Sequence, residues 1–233
     1  MFPWQAYTAH HGVQLMRPVP LGAAAVHIAE ECLSAAAATY YKQAGPYHTG
    51  GWAVHPLVAP DGDPVQQFPV AGRPYLPTPH LNSLPFVSDF LASLPGELRR
   101  VRLSRLAPGQ SIMWHLDDFE GKTNEFVARL HLPLVSHKAC LITLSHVTRH
   151  WPPGELWCAD FRFPHTVVNS WTRDRLHLVI DLAPSARYLT VLAELFGDDL
   201  QGPSRRDHIA VCASLLRDWR MGNKLSTCDR DDV

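Results

Sequence analysis

Residues 126–134 read FVARLHLPL and residues 174–182 read DRLHLVIDL. In the first stretch Phe126, Ala128, Leu130, Leu132 and Leu134 take every even position. Side chains alternate across a strand, so Arg129 and His131 fall together on the other face. In the second stretch Leu176, Leu178, Ile180 and Leu182 share one side, while Arg175, His177 and Asp181 share the opposite one. A period of two held over a whole segment reads as strand and not helix. Each strand thus carries an apolar and a polar face, and the polar faces look either to water, as in a sheet covered on one side, or into a small barrel.

Similar short runs at 99–107, 111–117, 139–146, 155–159 and 165–170 are separated by Gly, Pro and Asn, the spacing of an antiparallel sandwich or barrel. Helical spacing flanks them. Val26, Ala29, Leu33, Ala36, Ala37 and Tyr40 predict an amphipathic helix over 21–43, stopped by Gly45-Pro46. Eight of the twenty prolines fall within 55–85, which predicts turns with short extended pieces. After Pro184, Leu189, Leu192, Ala193 and Phe196 predict a helix ending at Gly197. Ile209, Cys212, Ala213, Leu216 and Trp219 predict another, with the last dozen residues frayed. The expected architecture is mainly β with flanking helices. It has a jelly-roll or double-stranded β-helix core over 98–182, an N-terminal helix and Pro-rich connection over 1–97, and C-terminal helices over 183–220 packed on one sheet. At 233 residues and 46% hydrophobic composition, the chain suffices for one well-covered domain.

The formal charge is −1, with basic residues dispersed, so neither a nucleic-acid stripe nor a membrane-surface helix is indicated. The expected partner is a small molecule or a peptide. Cys32, Cys140, Cys158, Cys212 and Cys228 are odd in number, far apart and without CxxC spacing, which argues for reduced thiols and against a zinc knuckle. With no leader-like segment and no apolar run of spanning length, a cytoplasmic location is expected.

His115 and Asp117 stand two apart in MWHLDD, and His165 follows fifty residues later in FRFPHTVVN. On a strand, residues two apart leave the same face and can reach one ion. Two histidines and a carboxylate can take three adjoining positions around Fe(II), leaving the others for a chelating ligand and O₂. A lone H-x-D triplet is more often a surface histidine beside a charge. Here Arg129, His131 and Arg175 recur close to the three candidate ligands, which favours the inward reading of the polar faces.

The runs RLSRLAPGQSIMWHLD, ARLHLPL, PGELWCADFRFPH and VVNSWTRDRLHLVID, in this order, resemble the aspartyl/asparaginyl β-hydroxylase family of Fe(II)- and 2-oxoglutarate-dependent oxygenases. The likeness covers residues 98–182, and GPYHTGGWAVHPLVAPDGD upstream is similar to the glycine and tryptophan segment before the family's barrel. The resemblance implies a cupin-like core in which His115, Asp117 and His165 hold Fe(II). It further implies that Arg175, helped by Ser104, grips the distal carboxylate of 2-oxoglutarate, and that Arg129 and His131 lie near the carboxylate bound at the metal. The implied reaction is decarboxylation of 2-oxoglutarate to succinate with O₂, coupled to hydroxylation of an unactivated C–H bond. Vertebrate members lack the carboxylate ligand; Asp117 makes this chain more similar to bacterial members, which include free-proline hydroxylases.

The segment DFEGKTNE, 118–125, reads either as a lid over the site or as a solvated hairpin loop. Asn169 and Trp171 are candidates for facing substrate, against an Asn that caps a turn and a Trp in the core. His177, on the face of Arg175, is a candidate to support the cosubstrate pocket from behind. Two other readings stay open: a barrel that holds metal without turnover, and an Fe(II) dioxygenase that does not use 2-oxoglutarate.

Overall fold

A computed structural model describes residues 1–19, 25–35, 40–43, 47–117 and 126–228, and the statements below concern these. In chain order the elements are α1 (Pro3–His10), β1 (Met16–Val19), α2 (Ala25–Ala35), β2 (Tyr41–Lys42), β3 (Trp52–Pro60) and β4 (Tyr75–Pro77). A 3-10 turn (Leu81–Ser83), α3 (Pro85–Ser93), β5 (Gly96–Leu106), β6 (Ser111–His115), β7 (Ala128–Val135) and β8 (Cys140–Leu144) follow. The chain continues through β9 (Val147–Arg149), β10 (Leu156–Ala159), β11 (His165–Asn169), β12 (Arg175–Pro184), α4 (Ala186–Phe196) and α5 (Pro203–Cys228).

The strands form two antiparallel sheets. The larger runs β1-β10-β7-β12-β5-β3-β2, with β4 beside β3; the smaller runs β6-β11-β8-β9. Neighbours in the sheets are mostly distant in sequence, the topology of a double-stranded β-helix. The seven strands expected from alternation are all present within a few residues of their expected ends.

The polar faces of β7 and β12 point inward. Arg129, His131, Arg175, His177 and Asp181 are all buried, although nothing apolar about them demands it. The opposite, outward faces build the main core: Leu130 and Leu132 of β7 and Leu178 and Ile180 of β12 meet α2, α3 and α4 through Ile28, Val87 and Leu192. Full burial of each such side chain stabilises the fold by about 1.5–3 kcal/mol. The sheet is therefore apolar outside, under helices, and polar within.

The helices are divided between two places. While α2, α3 and α4 cover the large sheet, α1 and α5 pair with each other near the small one. Phe2, Trp4, Trp114 and Trp219 pack there with ring centroids 4.8 to 5.6 Å apart. Gln5 Nε2 donates to the Ser145 carbonyl at 2.8 Å, tying α1 to the β8–β9 turn.

A buried ion network anchors α5. Arg205, 0% exposed, donates through Nε to Asp160 Oδ2 at 3.0 Å and through Nη2 to the Gln14 carbonyl at 2.8 Å. Burial opposes ionisation of Asp160, but Arg162 and Arg205 outweigh it and hold the carboxyl below its ordinary range. Arg205→Met leaves the buried Asp160 with Arg162 as its one remaining arginine partner among the described residues. The expected cost is about 3 kcal/mol, read from urea unfolding; a loss below about 1 kcal/mol would show that the network is dispensable.

Three expectations are corrected. Of the predicted helix over 21–43, α2 (Ala25–Ala35) buries Ile28 and Cys32 while Val26 and Leu33 are exposed; Ala36, Ala37 and the stop at Gly45-Pro46 lie outside the described residues. Tyr41–Lys42 is a strand paired with Ala53 and Val54. Where turns with short extended pieces were expected over 55–85, the nine-residue strand β3 runs on from Trp52 to Pro60, buried along most of its length, and α3 was not anticipated. At the C-terminus α5 continues to Cys228, beyond the start of the predicted frayed end. Cys32, Cys140, Cys158 and Cys212 are buried free thiols, as expected. No helix among the described residues is long and apolar enough to cross a membrane.

Candidate active site

His115 ends β6 and His165 begins β11, and the two residues are direct cross-strand partners. Their side chains thus leave the same face, with ring centroids 4.0 Å apart. Asp117 follows two residues beyond His115, and its N–H donates to the Phe161 carbonyl at 3.0 Å, fixing the chain where it leaves the strand.

The hydrogen bonds define both imidazole tautomers. His115 Nδ1 lies 2.7 Å from the Met113 carbonyl and His165 Nδ1 lies 3.0 Å from the Phe163 carbonyl. A carbonyl only accepts, so both Nδ1 atoms carry the proton and both Nε2 atoms present lone pairs. These Nε2 atoms are 3.5 and 3.9 Å from Asp117 Oδ1. One ligand atom from each residue lies within 4.8 Å of the others. Donors at about 2.1 Å from one ion are themselves about 3–4 Å apart, so the set fits a single cation. Asp117 Oδ2 meets Arg129 Nη1, which divides the carboxylate between the metal position and a positioning cation.

Burial keeps both histidines neutral, the form that binds metal. His115 is pushed down to about 4 and His165 lies well below the usual value, chiefly by desolvation. Between the ordinary 6.5 and about 4, the unfolded chain binds a proton at His115 that the fold does not. Stability is thus fully present above pH 6.5 and declines as the pH falls to 4. His115 alone accounts for about 3 kcal/mol of this loss. Urea midpoints of metal-free protein from pH 7.5 to 4.5 check the slope, and a midpoint that rises on acidification contradicts it.

The triad lies in a cavity of about 360 Å³ that Ser104, Arg129, His131 and Arg175 also line, so all seven site residues singled out from sequence face one space. Trp52 Nε1 donates to Ser104 Oγ at 3.0 Å. Gly51 makes this approach possible: it sits at φ +58, and a Cβ there would lie 2.8 Å from the Ala107 Cβ. Arg175 is 4% exposed, and among the described residues no carboxylate pairs with it. Burial pushes its guanidinium down to about 10.

Opposite, Asp181 collects three cations. Arg129 Nη2, Arg102 Nη1 and Arg100 Nη2 lie 2.9, 3.1 and 3.2 Å from Oδ2. Burial works against the charge, but Arg129, Arg102 and Arg100 hold the carboxyl far below the carboxylate range. Arg100 and Arg102 also line the cavity and were not singled out from sequence. The signal was there: in RRVRLSRL, Arg100, Arg102 and Ser104 alternate with Val101 and Leu103, the same kind of alternation that places Arg129 and Arg175.

Asn169 and Trp171 are not in the cavity. Asn169 is fully buried, and its Nδ2 donates to the Leu106, Ala107 and Arg173 carbonyls, capping the turn before β12. Trp171 stacks on His137. The 118–125 segment lies outside the described residues.

Facing histidines with a carboxylate two residues on, set inside a barrel of this topology, define the class as a double-stranded β-helix protein with a candidate two-histidine, one-carboxylate metal centre. The family follows from the sequence itself, since the profile of the aspartyl/asparaginyl beta-hydroxylases matches residues 24–184, and the chain belongs to that family. An L-proline cis-4-hydroxylase of Rhizobium meliloti (strain 1021) is 31% identical over 115 residues, a stretch that spans 48% of this chain and 40% of the relative. A solved oxidoreductase of the 2OG-Fe(II) oxygenase family from Burkholderia pseudomallei shares the fold with a TM-score of 0.52. It is 14% identical, over 77% of this chain and 89% of that one.

Proposed function

We propose that this chain is an oxygenase that couples decarboxylation of 2-oxoglutarate to oxidation of an unactivated C–H bond in a small, amino-acid-like carboxylic acid. The observation that carries the reading is Arg175, a buried guanidinium without a carboxylate partner among the described residues, facing the cavity that holds the triad. A dry cation of this kind needs an anion, and its planar fork suits a carboxylate through two parallel bonds. His115, Asp117 and His165 hold Fe(II), which when bound supplies O₂ activation. Arg175 and Ser104 would take the distal carboxylate of 2-oxoglutarate, with His131 lining the same cavity. Arg129 orients Asp117.

The size and charge of the cavity support a small acid as substrate. Among the described residues Arg100, Arg102, Arg129 and Arg175 line the cavity with Asp117, which makes its described wall basic. At about 360 Å³ the cavity is near the lower end of ligand sites, and cosubstrate and substrate share it. The relative that acts on L-proline agrees with a substrate of that size.

The test is succinate release on adding free amino acids, L-proline first, with their amides in parallel. Release that needs Fe(II), O₂ and a free acid, and is not triggered by the matching amide, is expected. Oxygen uptake without 2-oxoglutarate, or amides that serve as well as acids, would contradict the reading.

A further inference from the structure

His177 lies behind Arg175 on the same face of β12, opposite Ser104 on β5, and is 2% exposed. Its Nδ1 is 2.9 Å from Arg175 Nη2 and 3.3 Å from His131 Nδ1. A guanidinium has only N–H donors, so the bond to Arg175 requires a lone pair on His177 Nδ1 and places the ring proton on Nε2. That Nε2 is buried with no hydrogen-bond partner. An unsatisfied buried donor is costly, and histidine tolerates it here because the other nitrogen is needed as an acceptor. Desolvation, with Arg175, His131 and His150 nearby, keeps the ring neutral. The same lone pair can accept from His131 Nδ1, which leaves His131 Nε2 bare and, likewise, buried without a partner.

We propose that His177 is a positioning residue for the anion site. Its Nδ1 lone pair anchors one arm of the Arg175 fork, so that the remaining N–H groups are held ready for a carboxylate, and it sets the tautomer of the neighbouring His131. Cosubstrate chain length is thereby read by a hydrogen bond made behind the arginine. The inference rests on the reading that Arg175 takes the distal carboxylate of 2-oxoglutarate.

The experiment is calorimetric titration of the full chain loaded with Mn(II), without turnover, using 2-oxoglutarate and 2-oxobutyrate. Both keto acids offer the same chelating end, but 2-oxobutyrate lacks the distal carboxylate. His177→Asn keeps an acceptor near the Nδ1 position, His177→Gln carries its amide toward Nε2, and His177→Phe keeps a ring without an acceptor. Expected are 2-oxoglutarate affinities within threefold of the parent for Asn, and at least tenfold weaker for Gln and Phe. Affinity for 2-oxobutyrate should stay within threefold for every variant that folds. Should Phe fail to fold, the comparison of Asn with Gln decides. Equal 2-oxoglutarate affinity in Asn and Gln, or a parallel loss for both keto acids, overturns the proposal. Arg175→Ala separates the two levels: if it leaves 2-oxoglutarate binding unchanged, the proposed function fails, whereas a loss in Arg175→Ala with His177 variants silent removes only the positioning role.

Discussion

Asp117→Ala is expected to weaken Fe(II) binding by more than 100-fold and to abolish turnover. Loss of a group that merely orients a metal ligand costs about 10–100-fold, and Asp117 is itself a donor. The surroundings make the loss worse. Arg129 bonds Asp117 and also Asp181, so deleting the carboxylate leaves a buried guanidinium beside the cation with less negative charge between them. Family members without this carboxylate work with two histidines; the Arg129 contact is the reason this chain is not expected to follow them. Equilibrium dialysis of Fe(II) under anaerobic conditions checks the claim. Parent-like affinity in Asp117→Ala would mean that Arg129, and not the metal, is the true partner of the carboxylate.

Arg175→Ala is expected to lower affinity for 2-oxoglutarate by at least about 3 kcal/mol, roughly 100-fold, because a carboxylate would be left in a dry pocket without its charged donor. Arg175→Lys retains the charge but not the planar fork, and a loss of about tenfold is expected. Neither change touches the triad, so Fe(II) binding should stay within a few fold. Dissociation constants from quenching or calorimetry decide this, and a parent-like value for Arg175→Ala would remove the arginine from the anion site.

The core strands were legible because one physical rule governs both faces of β7 and β12. Strict alternation survives only where each face has its own environment, and here one faces helices and the other the cavity. The triad was legible for a related reason: His115 and Asp117 share a parity, although that His165 is the cross-strand partner of His115 depends on register, which no local spacing encodes. β3 was hidden by its prolines. Pro56 sits where the β3–β5 register shifts, and Pro133 lies opposite the shift in β12, irregularities at which a residue without N–H does not break a ladder. The face of α2 was misjudged because Val26 and Leu33 are as apolar as Ile28 and Cys32, and contact with α3 and the large sheet, which local spacing does not encode, buries the second pair. Arg205 had no local signal, since its partners Asp160 and Gln14 are far away in sequence.

If the proposed function holds, ferrous iron and a chelating 2-oxoglutarate sit side by side in one cavity. Anaerobic titration of the Fe(II)-loaded protein with 2-oxoglutarate, followed by visible absorption, tests it most directly. A charge-transfer band that saturates at one equivalent and is missing from His165→Ala is expected. No band with the parent protein, or a band that survives unaltered in His165→Ala, would contradict it.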